Sequence, residues 1–202
     1  LSYEKELKLL LNKEDYSQLL DSFQEISNPL NQINYYFDTN EFSLNQLGIT
    51  LRIREENGED LILCLKTKLN NLISNITISK EFEKEISRND FYKYRDNPEY
   101  IFDYFDKDFT LSLKDKIKSN KLKYLGSIKN ERRKLSFNKN YICDLDYTIY
   151  PDGRVFYEME FEGMDSENDV INIIEYLDFK QINYRINNKS KYKRFVESIN
   201  NN

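Results

Sequence analysis

Apolar and polar positions repeat with two different periods along this chain, and the changes of period mark its elements. "YEKELKLLL" (3–11) alternates as a strand does, with successive side chains pointing to opposite faces. Asn12, with Asp15 three residues on, then reads as a helix cap. Tyr16, Leu19, Leu20 and Phe23 follow at i, i+3, i+4 and i+7, the stripe of an amphipathic helix that Pro29 stops. "QINYYFD" (32–38) predicts a strand, and a short connection leads to "GITLRIREE". Asn57-Gly58 predicts a hairpin turn into "EDLILCLKTK". An Asn-rich loop over 69–75 precedes the strand "ITISKEFEKEIS". From about 88 to 119 the period is helical, through Phe91, Tyr94, Ile101, Phe102 and Phe105, with Pro98 as punctuation. "YLGSIKNERRKLSF", "YICDLDYTIY" and "VFYEMEFEG" predict three more strands, with turns at Asn138–Asn140 and Pro151-Asp152-Gly153. Ser166 with Asp169 caps a helix whose stripe is Val170, Ile173, Ile174 and Leu177, and a last helix carries Tyr192, Phe195, Val196 and Ile199.

This order predicts one α+β domain spanning 1–202 with a predominantly antiparallel sheet, since no linker divides the chain.

Seven of the strands sort their faces by charge. Glu4, Glu6 and Lys8 share one face, Arg52 and Arg54 the next, then Lys66 with Lys68, and Glu81, Glu83 with Glu85. Arg132 with Lys134, Asp144 with Asp146, and Glu158, Glu160 with Glu162 follow the same rule, each opposite an apolar face. On any one strand, a sheet packed on one side and wet on the other gives such alternation. A wet face, however, usually mixes its signs, whereas these signs come in blocks. Like charges about 7 Å apart on one strand repel, and more strongly in a cavity than in water. Blocks of both signs are stable together when a cation sits among the carboxylates and an anion among the Lys and Arg. A sheet curled with its charged face inward and its apolar face under helices meets that condition. It is an inverted barrel.

Composition narrows the chemistry. The chain of 202 residues has no histidine, which removes His-based nucleophile activation and His-ligated zinc. Acid–base work falls to carboxylates, lysine or tyrosine, and an oxygen-rich metal site suits Mg²⁺, Mn²⁺ or Ca²⁺. Net charge of −5 without a long basic run argues against nucleic acid, and 16 Tyr with 13 Phe argue against disorder. Cys64 and Cys143 fall on opposite kinds of strand face, so no disulfide is expected and a reduced, cytoplasmic protein is. No apolar run approaches membrane-spanning length and no secretory signal opens the chain, although the missing initial methionine leaves a removed leader open.

The same residues resemble a known family. Glu4-x-Glu6-x-Lys8 is similar to the ExExK signature of the CYTH superfamily, the triphosphate tunnel metalloenzymes. "NYYFDTNEFSLNQLGITLRIR" (34–54) resembles that family's second block, and the likeness runs on through "LCLKTK", the acidic strand at 81–85, "NERRK", "CDLDY", "YEMEFEG" and "SKYKRF". It implies an antiparallel eight-stranded β-barrel with helices packed outside, whose tunnel binds a triphosphate and a divalent metal, Mg²⁺ or Mn²⁺. By position, Glu4, Glu6, Asp146, Glu158 and Glu160 are expected to hold the metal. Lys8, Arg52, Arg54, Lys66, Arg132 and Lys191 are expected to grip phosphate oxygens. Glu83 or a strand neighbour such as Glu85 is expected to orient the attacking water, with Lys8 beside the reacting phosphate. A basic residue often stands where this chain has Asn130, and Lys134 is the candidate substitute; Glu162 is peripheral to a two-glutamate motif.

The expected activity is metal-dependent hydrolysis of a small-molecule triphosphate, inorganic triphosphate first, giving phosphate and diphosphate. Thiamine triphosphatase, a class IV-type adenylyl cyclase and a non-catalytic polyphosphate- or nucleotide-binding module are the alternatives. Neither nucleic acid nor membrane is expected as a partner, and the oligomeric state is open.

Overall fold

The computed structural model describes residues 2–69, 75–118, 120–138 and 140–200. Residues 70–74 of the Asn-rich loop and Lys139 of the Asn138–Asn140 turn lie outside them. In chain order the elements are β1 (Ser2–Leu11), α1 (Lys13–Ser22), β2 (Gln24–Glu25), β3 (Leu30–Asp38), α2 (Ser43–Gln46), β4 (Ile49–Glu56), β5 (Asp60–Lys68) and β6 (Ile76–Glu85). α3 (Arg88–Asp96), a 3-10 helix (Pro98–Tyr104) and α4 (Lys107–Lys116) follow. β7 (Lys123–Ser136), β8 (Ile142–Ile149), β9 (Val155–Glu162), α5 (Glu167–Phe179), β10 (Arg185–Ile186) and α6 (Lys191–Asn200) complete the chain.

Eight strands pair in the order β1-β6-β5-β4-β3-β7-β8-β9, and β9 returns to β1, so the sheet closes into an antiparallel barrel. The alternation read in the sequence decides which side is out. Leu7, Leu9, Leu145, Met159 and Phe161 point outward and are covered by α1 and α5 through Tyr16, Leu19, Val170, Ile173 and Leu177. Leu51, Ile53, Leu63 and Leu65 are covered by α3, the 3-10 helix and α4 through Phe91, Tyr94, Ile101, Phe102 and Leu113. Cys64 faces in and Cys143 faces the outer core, and both thiols are free.

The caps expected at Asn12 and Ser166 form, and the structure adds one at Ser87. Asn12 accepts from the Asp15 N–H at 2.7 Å, and Ser87 with Asp90 and Ser166 with Asp169 make reciprocal capping boxes. α1, however, ends at Ser22 rather than running to Pro29. Phe23 turns extended and stacks on Phe137 with centroids 5.3 Å apart, which draws Gln24–Glu25 into pairing with β7. Ring packing outweighs one further turn of helix.

The C-terminal helix departs from an outer coat of helices. α6 packs through Tyr192, Phe195 and Val196 on Tyr36, Ile128 and Tyr150, with Phe156 alongside. By strand parity Tyr36 shares a face with Asn34, Ile128 with Asn130, and Phe156 with Glu158. The inward face therefore turns apolar at one end of the barrel, and α6 seals that end. Asp38 ties the seal together: its carboxylate accepts from the Leu44 and Asn45 backbone N–H groups at the start of α2 and from the Tyr192 hydroxyl. Gly126, at a bulge opposite Tyr36 and Phe37, has φ +133°, and a Cβ there would meet the Phe195 ring at 3.3 Å.

Candidate functional site

Inside the barrel lies a cavity of about 350 Å³. β1 supplies Glu4, Glu6 and Lys8 to it, β4 supplies Arg52 and Arg54, and β5 supplies Lys66. Glu81 and Glu83 come from β6, Arg132 from β7, Glu160 from β9 and Lys191 from the first turn of α6. The strand positions among these share the inward parity of their strands, so a property of local alternation becomes a converging set once the sheet closes.

Two charge clusters divide the walls. In the first, Lys66 Nζ lies 2.6 Å from Glu4 Oε2, 3.4 Å from Glu6 Oε1 and 3.7 Å from Glu81 Oε2, and Arg52 Nη2 lies 3.6 Å from Glu81 Oε1. Glu4 and Glu81 share a hydrogen bond between their carboxyls. Burial and that bond push the Glu81 carboxyl up to about 7. Burial alone would raise Glu4 too, but the bond from Glu81 and the nearby Lys66 outweigh it and hold Glu4 down at about 2. Two carboxylates this close keep one proton between them.

In the second cluster Arg132 makes four contacts: Nε to Asp146 Oδ1 at 2.8 Å, Nη2 to Asp146 Oδ2 and to Glu160 Oε2, and Nη1 to Asp144 Oδ2, the last three at 2.7 Å. Lys191 Nζ lies 2.8 Å from Asp146 Oδ2, 2.7 Å from Glu160 Oε1 and 3.3 Å from Glu158 Oε2. Burial alone would favour the neutral amine, but Asp146, Glu158 and Glu160 outweigh it and hold the Lys191 ammonium well above the usual lysine range. Lys8 Nζ bridges the two clusters, 3.0 Å from Glu6 Oε1 and 3.8 Å from Glu160 Oε1.

The donor set fits a hard divalent cation. It is oxygen-rich, and Glu81 Oε1 and Glu158 Oε2 are buried without a hydrogen-bond donor, a costly state for a carboxylate oxygen. Cys64, Glu81 and Glu83 bring ligand atoms within 4.8 Å of one another.

The expected residues fall into three places. Glu4, Glu6, Lys8, Arg52, Arg54, Lys66, Glu83, Arg132, Glu160 and Lys191 line the cavity. Asp146 and Glu158 are fully buried behind Arg132 and Lys191. Glu85 is exposed at the end of β6, and Lys134 pairs with Asp144 at 2.9 Å beside a second, outer depression.

Sequence reading passed over the uncharged wall. Asn130 donates to Gln32 and Asp146 and accepts from the Thr148 hydroxyl at 2.6 Å, and Gln32 passes the chain on to Glu56. Tyr36 aims a fully buried hydroxyl, without a hydrogen-bond partner, into the cavity. Arg194 was hidden in the apolar stripe of α6, although it sits one turn from Lys191 and donates to Glu158 Oε1 at 2.8 Å. Asn187 holds the same Glu158 oxygen and accepts from Arg194 at 2.7 Å.

A closed eight-stranded barrel with an inward charged face is the architecture of a triphosphate tunnel. The CYTH domain family matches residues 2–196, and the chain belongs to that family. Among solved structures it is similar to HpAC1 of Hippeastrum, a candidate adenylyl cyclase described as having a dominant triphosphatase activity. That likeness has a TM-score of 0.80 at 26% identity over 96% of this chain and 95% of the other. It is also similar to a candidate adenylate cyclase of Bacillus halodurans, with a TM-score of 0.72 at 25% identity over 94% and 95%. The PH1819 protein of Pyrococcus horikoshii, at 19% identity over 97% and 98% and a TM-score of 0.57, shares the fold. No curated protein sequence matches the chain. Among the described residues no helix is long and apolar enough to cross a membrane.

Proposed function

We propose that this chain hydrolyses a triphosphate with the help of a divalent cation, and that inorganic triphosphate is its first substrate. The observation that carries the choice of substrate is the state of the aromatic rings in the cavity wall. Among the described lining residues these are Tyr36 and Tyr192. Their centroids lie 4.8 Å apart, Phe195 packs tilted against Tyr36 at 4.9 Å, and the Tyr192 hydroxyl is bonded to Asp38. Both are buried, which leaves no open ring face for a purine or a thiazolium to stack upon. The rest of the lining instead offers amides and lysines, including Asn45, Gln46, Lys68 and Lys193.

Lys8, Arg52, Arg54, Lys66, Arg132 and Lys191 would bind phosphate oxygens, the guanidinium forks two at a time and the ammoniums as point charges. Glu4, Glu6 and Glu160, backed by Asp146 and Glu158, would hold Mg²⁺ or Mn²⁺, which neutralises phosphate charge when bound. Lys134 supports the site by keeping Asp144 paired. Glu81 and Glu83 would orient the attacking water. Its oxygen bonds to the terminal phosphorus, the bridging P–O bond breaks, and the proton passes to the carboxylate, leaving phosphate and diphosphate. The free thiols fit a reducing cytoplasm.

The test is phosphate release from inorganic triphosphate, thiamine triphosphate and ATP with Mg²⁺, Mn²⁺ or no metal, beside Glu4→Ala. Metal-dependent release strongest from inorganic triphosphate and lost in the variant is expected. Faster turnover of thiamine triphosphate, or cyclic AMP from ATP, would replace the substrate assignment. Tight binding without turnover would make the chain a binding module.

A further inference from the structure

Lys191 occupies the point on which three carboxylates converge. Its Nζ is within 3.3 Å of Asp146 Oδ2, Glu158 Oε2 and Glu160 Oε1, which come from two neighbouring strands. A small oxygen-loving cation would seek the same point, and an ammonium is the nearest side-chain equivalent.

The surroundings are already neutral. Asp144, Asp146, Glu158 and Glu160 face Arg132, Lys134, Lys191 and Arg194, four negative groups against four positive ones. Lys8 lies 3.8 Å from Glu160 and is itself paired with Glu6 at 3.0 Å, so it leaves that balance unchanged. A bare divalent ion placed here would meet carboxylates whose charge is spent and an ammonium in its path. A polyphosphate changes both conditions at once. It brings negative charge to offset the ion, and it gives Lys191 oxygens to bind in place of the carboxylates.

The backbone supports such an exchange. Lys191 is the first residue of α6, and the helix is anchored independently of it by the Tyr192–Asp38 bond and the Arg194–Glu158 pair. Its side chain can therefore change partners while the helix stays seated. Arg194 and Asn187 hold Glu158 by Oε1, so Oε2 stays aimed at the Lys191 ammonium, to which it makes no hydrogen bond.

We infer that Lys191 is an internal counter-ion that sets the order of binding: the tunnel accepts a divalent cation together with a polyphosphate and resists the cation alone. This rests on the proposed metal-dependent reading, and the experiment separates the two. Mn²⁺ binding is measured by electron paramagnetic resonance on the full chain and on Lys191→Met, Lys191→Gln and Lys191→Arg. Each protein is titrated with Mn²⁺ alone and with Mn²⁺ plus imidotriphosphate, and circular dichroism confirms that each is folded. The uncharged variants should bind free Mn²⁺ at least about tenfold more tightly than the parent, because a state closed by Lys191 lowers apparent affinity by its population. Lys191→Arg should stay as weak as the parent, and imidotriphosphate should restore Mn²⁺ binding to the parent. Equal affinity of parent and both uncharged variants for free Mn²⁺ overturns the counter-ion role. No Mn²⁺ bound by any protein, even with imidotriphosphate, overturns the metal-dependent reading beneath it.

Discussion

Arg132 and Asp146 face each other across β7 and β8 and meet as a fork, Nε to Oδ1 at 2.8 Å and Nη2 to Oδ2 at 2.7 Å. Asp146 is fully buried, so its charge depends on this contact and on Lys191. Arg132→Lys keeps the charge but not the planar pair of donors. Stability should fall by about 1.5–3 kcal/mol, the range of a charge-assisted hydrogen bond, as read from urea unfolding. A parent-like midpoint would show that one ammonium serves Asp146 equally well.

Arg52 lines the cavity from β4, with its Nη2 3.6 Å from Glu81 Oε1, and under the proposed reading it binds a phosphate oxygen. Arg52→Ala should lower kcat/KM for triphosphate by about a hundredfold, corresponding to about 2–3 kcal/mol of lost phosphate contact. Unchanged turnover would remove Arg52 from the site.

The buried Arg194–Glu158 pair gives a different signature. Arg194→Met removes one of the two cations beside buried Glu158, leaving Asn187 and Lys191, and should cost about 3 kcal/mol of stability, the low end for a broken buried pair. Adding Glu158→Gln to Arg194→Met should recover part of that loss, and a double-mutant cycle by chemical unfolding measures the recovery. Strict additivity would mean the two side chains are energetically independent.

Gly126 and Gly153 both have positive φ, +133° and +81°, but a Cβ at Gly153 meets nothing within 4 Å whereas at Gly126 it presses on Phe195. Gly153→Ala should cost about 1 kcal/mol for its backbone conformation. Gly126→Ala should cost more, because α6 must shift as well. Equal losses in thermal unfolding would mean Phe195 yields freely.

Asp169 lies below the ordinary aspartate range because its carboxylate accepts from Ser166 and then from Tyr141. A carboxyl depressed in the folded state stabilises above its unfolded value, near 3.9, and loses that contribution as pH falls through the lower native value. Asp169→Asn should therefore melt below the parent at pH 7, with the gap closing below about pH 4. A gap that persists in acid would mean the cap does not depend on the charge.

Much of the molecule was legible in one dimension. Period-two alternation is a local property, so the inward and outward faces of seven strands followed from spacing, as did the caps at Asn12 and Ser166. Blocked signs on the inward faces pointed to a closed sheet, because repelling neighbours need counter-charges from other strands. The eighth strand, β3, gave no such sign: Gln32, Asn34 and Tyr36 face inward without charge.

Depth and partnership needed three dimensions. Arg132, Lys191 and Arg194 are similar cations in the sequence, yet the first two line the cavity and the third stands behind Glu158. Glu81, Glu83 and Glu85 share one face of one strand, yet only burial against Glu4 lifts the Glu81 carboxyl toward neutrality. The sequence determined which side chains turn inward. The closure of β9 on β1 and the docking of α6 decided which of them meet, because charge interactions depend on distance and burial, and neither is a property of neighbours along the chain.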